Sequence, residues 1–332
     1  MNAVSRLTTV SVAILLGFGA RSATDSGSRL RLIETIPLAG VEGRIDHLAI
    51  DLEHRRLFVC ALGNDSLEVI DLNRGLRIRS ITGLGRPQGV SYAGESNRLV
   101  VSSEQHGTCQ IYDGTSLQEV GRIRLDDDAD NLRYDVASGH LYAGFGNGGL
   151  AVIDPLGIKQ VRSVMLGAHP EAFALEKHGK RVFVNLPGNR EVAVVDREAG
   201  TVVLRWKTDT ASGNFPIAID EAEQRLFVGC RNPSVVIVLD TASGRVAAKM
   251  DIAGDVDDLF YDEKRGRIYA ICGAGVIDVL GQLGPDSYRL LERIPTAPGA
   301  RTGLFVPESD ELFVAFPRRG SRTAEVCAYR VE

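Results

Sequence analysis

The sequence predicts an all-β protein, a seven-bladed β-propeller with four antiparallel strands per blade. Three observations predict it. Short runs rich in Val, Ile and aromatic residues recur along the chain, each bounded by Gly, Asn, Asp or Pro, with no helical periodicity of useful length beside them. The runs fall into seven related units in which Phe58, Val100, Tyr142, Phe183, Phe227, Tyr269 and Phe313 hold one place, at separations of 42, 42, 41, 44, 42 and 44 residues. Finally, the seventh unit stops at Glu332 after its third strand, while an unmatched fourth-type strand precedes the first unit. Joined, these ends complete a blade and close a ring, whereas a linear solenoid would need caps.

In chain order, "MNAVSR" carries one cation, fourteen mostly apolar residues follow (Leu7–Ala20), and "RSATDSGS" is small and polar. That layout predicts a signal peptide over residues 1–22, with an apolar run too short for a comfortable membrane span. The expected mature chain, 23–332, is a single propeller domain, monomeric, and periplasmic or secreted. It opens with the lone strand "RLRLIETIPL", ending at Leu38.

Each unit then supplies its strands in sequence. First strands read "HLAID", "GVSYA", "NLRYD", "AFALE", "PIAID", "DLFYD" and "GLFVP". Second strands centre on the residues named above, as in "RLFVC" and "RVFVN". Third strands run from "SLEVIDL" to "EVCAYRV", and fourth strands from "LRIRSI" to "LLERIPT". Asp71, Asp113, Asp154, Asp196 and Asp240 end third strands, mostly with Gly close behind, and are expected to accept bonds from backbone amides in Asx turns. Asp51, Asp135, Asp220 and Asp262, after first strands, invite the same reading. Cys60, Cys109, Cys230, Cys272 and Cys327 are odd in number, scattered and mostly inside apolar runs, so buried free thiols are expected.

"RVFVNLPGNREVAVVDREAGTV" and "RLFVCALGNDSLEVIDLNRG" resemble the YVTN-type repeat of YncE-like exported propellers. The likeness covers nearly all of the expected mature chain. It implies the fold and export, and says little about activity. The sequence departs from the motif at its Thr position, which holds Cys60, Ser102, Gly144, Asn185, Gly229, Ile271 and Ala315. WD-type repeats are disfavoured, because Trp206 is the only Trp.

Function must be sought in what the repeat does not explain. One position, five residues before the end of each first strand, holds Asp46, Gln88, Asp130, Glu171, Phe215, Asp257 and Thr302. Carboxylates gathered at one axial mouth need protons, hydrogen bonds, arginines or a hard cation, so Asp46, Asp130, Glu171 and Asp257 are candidate ligands for Ca or Mg. Neighbours include His47, Asp128, Asn131, His169, Asp255 and Asp258. Arg44, Arg86 and Arg301 fall in similar loops of adjacent blades, which predicts a positive arc beside the acids; with Gln88 and Asn131 they are candidate ligand contacts. His106 is placed on a hairpin of the same face.

Several chemistries are excluded. "GFGNGG" satisfies a dinucleotide-binding spacing, but a strand rather than a helix follows it, so no NAD site is expected. There is no C-x-x-C-H haem attachment, nucleophile elbow, zinc-protease helix or P-loop. With a formal charge of −5 and no long basic run, nucleic acid is not an expected partner. The primary expectation is a binding module that takes a small ligand or protein partner on its axial loop face. The alternative is a lactonase-like hydrolase or lyase with a divalent cation at the acidic mouth, in which His47 or His169 would move a proton. A subunit beside a redox protein is a third reading, with no haem or quinone signature behind it.

Overall fold

In the computed structural model, residues 28–332 are described; the expected signal peptide lies outside them. Among the described residues, twenty-eight strands form seven four-stranded antiparallel sheets. Blade 1 runs from Leu48–Asp51 to Leu76–Thr82, blade 2 from Pro87–Ala93 to Glu119–Arg124, and blade 3 from Ala129–Asp135 to Lys159–Met165. Blade 4 runs from Phe173–Leu175 to Thr201–Lys207, blade 5 from Ser212–Asp220 to Val246–Asp251, and blade 6 from Val256–Asp262 to Ser287–Pro295. Blade 7 takes three strands from the C-terminus, Gly303–Val306, Glu311–Phe316 and Glu325–Val331, and its fourth, Leu30–Pro37, from the other end of the chain. No helix among the described residues is long and apolar enough to cross a membrane.

The closing strand fits its place in detail. Leu30 pairs with Val331 and Ile36 with Val326, with a bulge between Leu32 and Glu34. The other six blades carry a register break at the equivalent point of their third–fourth pairing. A bulge bends and twists an outer strand, which blunts an edge that would otherwise recruit another chain.

Burial explains the repeat. Phe58, Val100, Phe183, Phe227 and Tyr269 are fully buried, because the middle of each second strand packs between neighbouring blades. Seven apolar clusters form, each spanning two adjacent blades. The cluster at the closure joins Ile36, Phe313 and Val326 of blade 7 to Leu57 and Ile70 of blade 1. Blade packing therefore runs around the whole circle.

The expected turns form. Oδ1 of Asp71, Asp113, Asp154, Asp196 and Asp240 accepts the backbone N–H groups two and three residues on, for example Glu198 and Ala199 at 3.0 Å from Asp196. The aspartates after first strands differ in register. Asp51, Asp220 and Asp262 accept an N–H three residues on, and Asp135 accepts the Ser138 hydroxyl. All five cysteines are buried free thiols.

The departures from the repeat at the Thr position have a packing reason. Ser102 donates its hydroxyl to the Asp130 carbonyl, and Asn185 Nδ2 donates to the carbonyls of Phe215 and Pro216 at 2.9 and 3.1 Å, each in the next blade. At Gly144 and Gly229 a Cβ would lie 3.2 and 2.6 Å from Cγ of Pro170 and Pro216. At Gly144 the missing Cβ admits Pro170 from the entry of the following blade, and at Gly229 it admits Pro216 from the first strand of the same blade.

Candidate functional site

The loops that enter the first strands and the hairpins between second and third strands share one face. In blades 2, 3, 5 and 6 the first strand carries a register break close to its start, at Pro87/Val90, Ala129/Leu132, Asn214/Ile217 and Val256/Asp258. The break re-aims the intervening side chains toward the axis. Sequence-predicted residues Gln88, Asp130, Asn131 and Asp257 all lie at these points.

The carboxylates converge, and arginines sit among them rather than in a separate arc. Arg44 Nη2 lies 2.9 Å from Asp46 Oδ2 and 3.6 Å from Asp257 Oδ2. Arg301 Nε lies 3.0 Å from Asp257 Oδ2, and its Nη1 3.1 Å from Asp255. Arg231, which the sequence reading missed, donates to Asp257 and stacks its guanidinium 3.9 Å from the centre of the Phe215 ring. Arg86 departs from expectation: it pairs with Glu104 at 2.9 Å, on the rim, away from the acids that hold Arg44 and Arg301. Opposite charges close together in a partly buried place relieve each other's desolvation, so interleaving is the stable arrangement and two like-charged arcs are not.

Asp130 and Glu171 stand apart. Neither carboxylate has a hydrogen bond or ion pair among the described residues, and Asp130 is 9 % exposed. Burial, then the charge of Glu171, pushes Asp130 up to about 8; burial, then Asp257, pushes Glu171 up to about 7. Burial also raises Asp257, to about 6, with Arg231, Arg301 and Arg44 restraining the rise. His47 is the counter-case. Burial disfavours its cation, but Asp258, whose Oδ1 lies 3.4 Å from Nδ1, with Asp46 and Asp130 behind it, raises it to about 10.

The other candidates are held structurally. Gln88 Nε2 donates to Asp128 Oδ1 at 2.8 Å. His169 Nδ1 lies 2.7 Å from the Gly146 carbonyl, and its Nε2 3.8 Å from Asp128. The Asn131 Oδ1 atom is buried without a partner, as are both carboxylate oxygens of Asp46 with respect to hydrogen bonds. His106 packs over Gly85, on the expected face. Among the described residues no three His, Cys, Asp or Glu side chains are arranged to hold a metal ion.

Beside this network lies a cleft of about 440 Å³ between blades 6, 7 and 1, lined by Arg44, Arg301, Arg318 and Arg319 with a single carboxylate, Asp255. Arg318 pairs with Glu42, whereas the Arg319 side chain has no ion pair among the described residues. Gly43 and Gly299 form part of the wall in the left-handed region, with φ of +75° and +86°. Arg318 and Arg319 were also missed by sequence. Their signal was the stretch "RRGSR" in the last second-to-third-strand connection, where three arginines fall within five residues.

No family model matches the chain, and no curated protein matches it. Solved structures match in fold. A chain of the mitotic checkpoint complex superposes with a TM-score of 0.78 at 14 % identity, covering 98 % of this chain and 99 % of that one. The WD40 repeats of RRP9 give 0.78 at 14 %, covering 91 % and 100 %. Hydrazine synthase of Kuenenia stuttgartiensis gives 0.75 at 16 %, covering 92 % and 99 %. At these identities the likeness shows a β-propeller related in shape to WD40 repeats, and shows the fold alone.

Proposed function

We propose that this propeller is a non-catalytic binding module that receives an anionic group, on a small ligand or on an acidic segment of a partner protein, in the arginine-lined cleft of its entry face. The observation that carries this reading is the four-to-one excess of arginine over carboxylate along the cleft, with Arg319 unpaired among the described residues. Planar guanidinium forks suit carboxylate and phosphate groups, and a partly closed cleft weakens screening. A neighbouring fold from the mitotic checkpoint complex agrees with a binding role. The YVTN-like repeat and the leader-like first residues support a place of action in the periplasm or outside the cell.

The test uses hexaglutamate and inorganic phosphate as probes. Fluorescence anisotropy is expected to show salt-sensitive hexaglutamate binding that weakens about tenfold in Arg319→Glu, since one lost charge-assisted contact is worth about 1.4 kcal/mol or more. Arg190→Glu, in a hairpin of blade 4 on the same face, is expected to leave binding unchanged. Equal binding by the Arg319 and Arg190 variants would remove the cleft from consideration.

One observation favours a second reading, a lactonase-like hydrolase or lyase with Ca or Mg. Asp130 and Glu171 present unpartnered carboxylates beside Asp46, and oxygen-rich sites suit these cations. It ranks second because, among the described residues, no three His, Cys, Asp or Glu side chains are arranged to hold a metal ion. If it holds, calcium raises the melting temperature of the wild type, and Asp46→Ala or Asp130→Ala abolishes that rise. A calcium response in both variants that is unchanged from the wild type eliminates it.

A further inference from the structure

The seven innermost strands also enclose an axial channel that opens on the opposite face, where the turns between first and second strands place Lys177 and Pro307 at its rim. Its volume is about 500 Å³. The walls are largely apolar: Ile50, Leu175, Ile219 and Leu304, each half-buried, reach it from blades 1, 4, 5 and 7. Charged groups appear toward the inner end as His47, Arg133 and Asp258.

Two of these three are matched to each other. Asp258 faces His47 through one oxygen, and its other oxygen accepts the Gly303 N–H at 2.9 Å. Arg133 is left over. Its Nη1 donates to the Leu132 carbonyl at 2.8 Å and its guanidinium lies 5.8 Å from the centre of the Phe173 ring, but it has no ion pair among the described residues. Burial lowers its pKa, and Asp258 and Asp130 offset only part of that cost. Nor does the blade require an arginine there. By strand pairing, the equivalent positions in the other six blades are Ala49, Ser91, Ala174, Ala218, Phe260 and Leu304. An unrepeated cation in an apolar wall is costly to keep without a counter-charge.

We infer that the channel binds a small monocarboxylate with an apolar body, its carboxylate on the Arg133 guanidinium and its hydrocarbon against Ile50, Leu175, Ile219 and Leu304. Apolar walls with one or two fixed polar groups are the usual composition of a small-molecule site. The fork of Arg133 has unused donors for both carboxylate oxygens. Lys177 at the rim adds a second positive charge on the way in, which favours an acid over an amine.

Isothermal titration of the full chain with octanoate, octanol and octylamine tests this. Octanoate is expected to bind at least about tenfold more tightly than either analogue, and Arg133→Gln is expected to remove that preference. Ile219→Glu, which puts a carboxylate into the wall without touching Arg133, is expected to weaken octanoate by a similar factor while hexaglutamate binding on the opposite face persists. No octanoate binding at millimolar concentration, equal binding of octanol and octanoate, or unchanged preference in Arg133→Gln overturns the inference. If Arg133→Gln fails to fold, the wild-type ligand series and Ile219→Glu still decide it. Loss of hexaglutamate binding alone would count against the cleft and leave the channel standing.

Discussion

A chain that begins at Ala39, lacking the strand Leu30–Pro37 and Leu38 after it, is expected not to fold cooperatively, whereas one that begins at Ser28 is expected to melt in a single transition. The segment is a small part of the sequence, but it completes blade 7 and two of the seven interblade clusters. Ile36 and Leu38 are fully buried in the cluster shared with blade 1, and Leu30 is 3 % exposed in the cluster shared with blade 6. Three buried aliphatic side chains contribute about 1.5–3 kcal/mol each, comparable with the whole net stability of an ordinary domain. Deletion also uncovers the strand Glu325–Val331, leaving its ladder unpaired along a sheet edge that invites aggregation. Ile36→Ala, which keeps the strand and removes one contact, is expected to cost about 3 kcal/mol. The readouts are thermal unfolding by circular dichroism and solubility after expression. A sharp, unshifted transition for the Ala39 chain would show that closure is dispensable.

Closure was legible because it is a counting fact. Seven third strands and a stray fourth strand at the far end of the chain leave one topology that satisfies every edge, and the repeat needed no alignment beyond the sequence itself. The Asx turns were legible for the same reason: a feature seen in five blades belongs to the blade. The site was less legible because counting back from the strand ends singles out one position in each blade. That position found Asp46, Asp130, Glu171 and Asp257, which the structure does bring together. It could not show that Arg231 reaches Asp257 from a second strand, because sequence offset does not say which way a long side chain bends. Applied two residues before the strand ends, the same comparison would have exposed Arg133 among Ala, Ser and Phe. The expected positive arc holds in part: Arg44 and Arg301 line the cleft with Arg318 and Arg319 while pairing with Asp46, Asp255 and Asp257, and Arg86 turns instead to Glu104.

Raising the pH from about 5 to about 9 is expected to lower the melting temperature steadily, and Asp130→Asn is expected to remove the largest part of that fall. Asp130 and Glu171 hold their protons in the folded state up to about 8 and about 7, against ordinary values of 3.8 and 4.5. Between the ordinary and the folded value the unfolded chain has lost the proton and the folded chain keeps it. Their contribution is therefore fully present below about pH 4 and is lost as pH rises through the folded values. His47 acts in the same direction. Its proton, held to about 10 against 6.5, stabilises the fold fully below 6.5 and ceases to do so as pH passes 10. A tenfold change in proton affinity is worth about 1.4 kcal/mol, so the combined loss amounts to several kcal/mol and a shift on the order of 10 °C. The aspartates with lowered values work against acid instead. Asp310, held at about 2 by Arg265 and then Lys264, loses its contribution only as pH falls below the usual carboxylate range. Maximum stability is thus expected on the mildly acidic side of neutrality. Asparagine at residue 130 keeps the shape without the charge, so the variant should match the wild type near pH 5 and exceed it near pH 9. A wild-type melting temperature that is flat or rises over that range would mean that the axial acids are already neutralised by something the described residues do not contain, and the search for a cation at Asp46, Asp130 and Glu171 would then take precedence over the cleft.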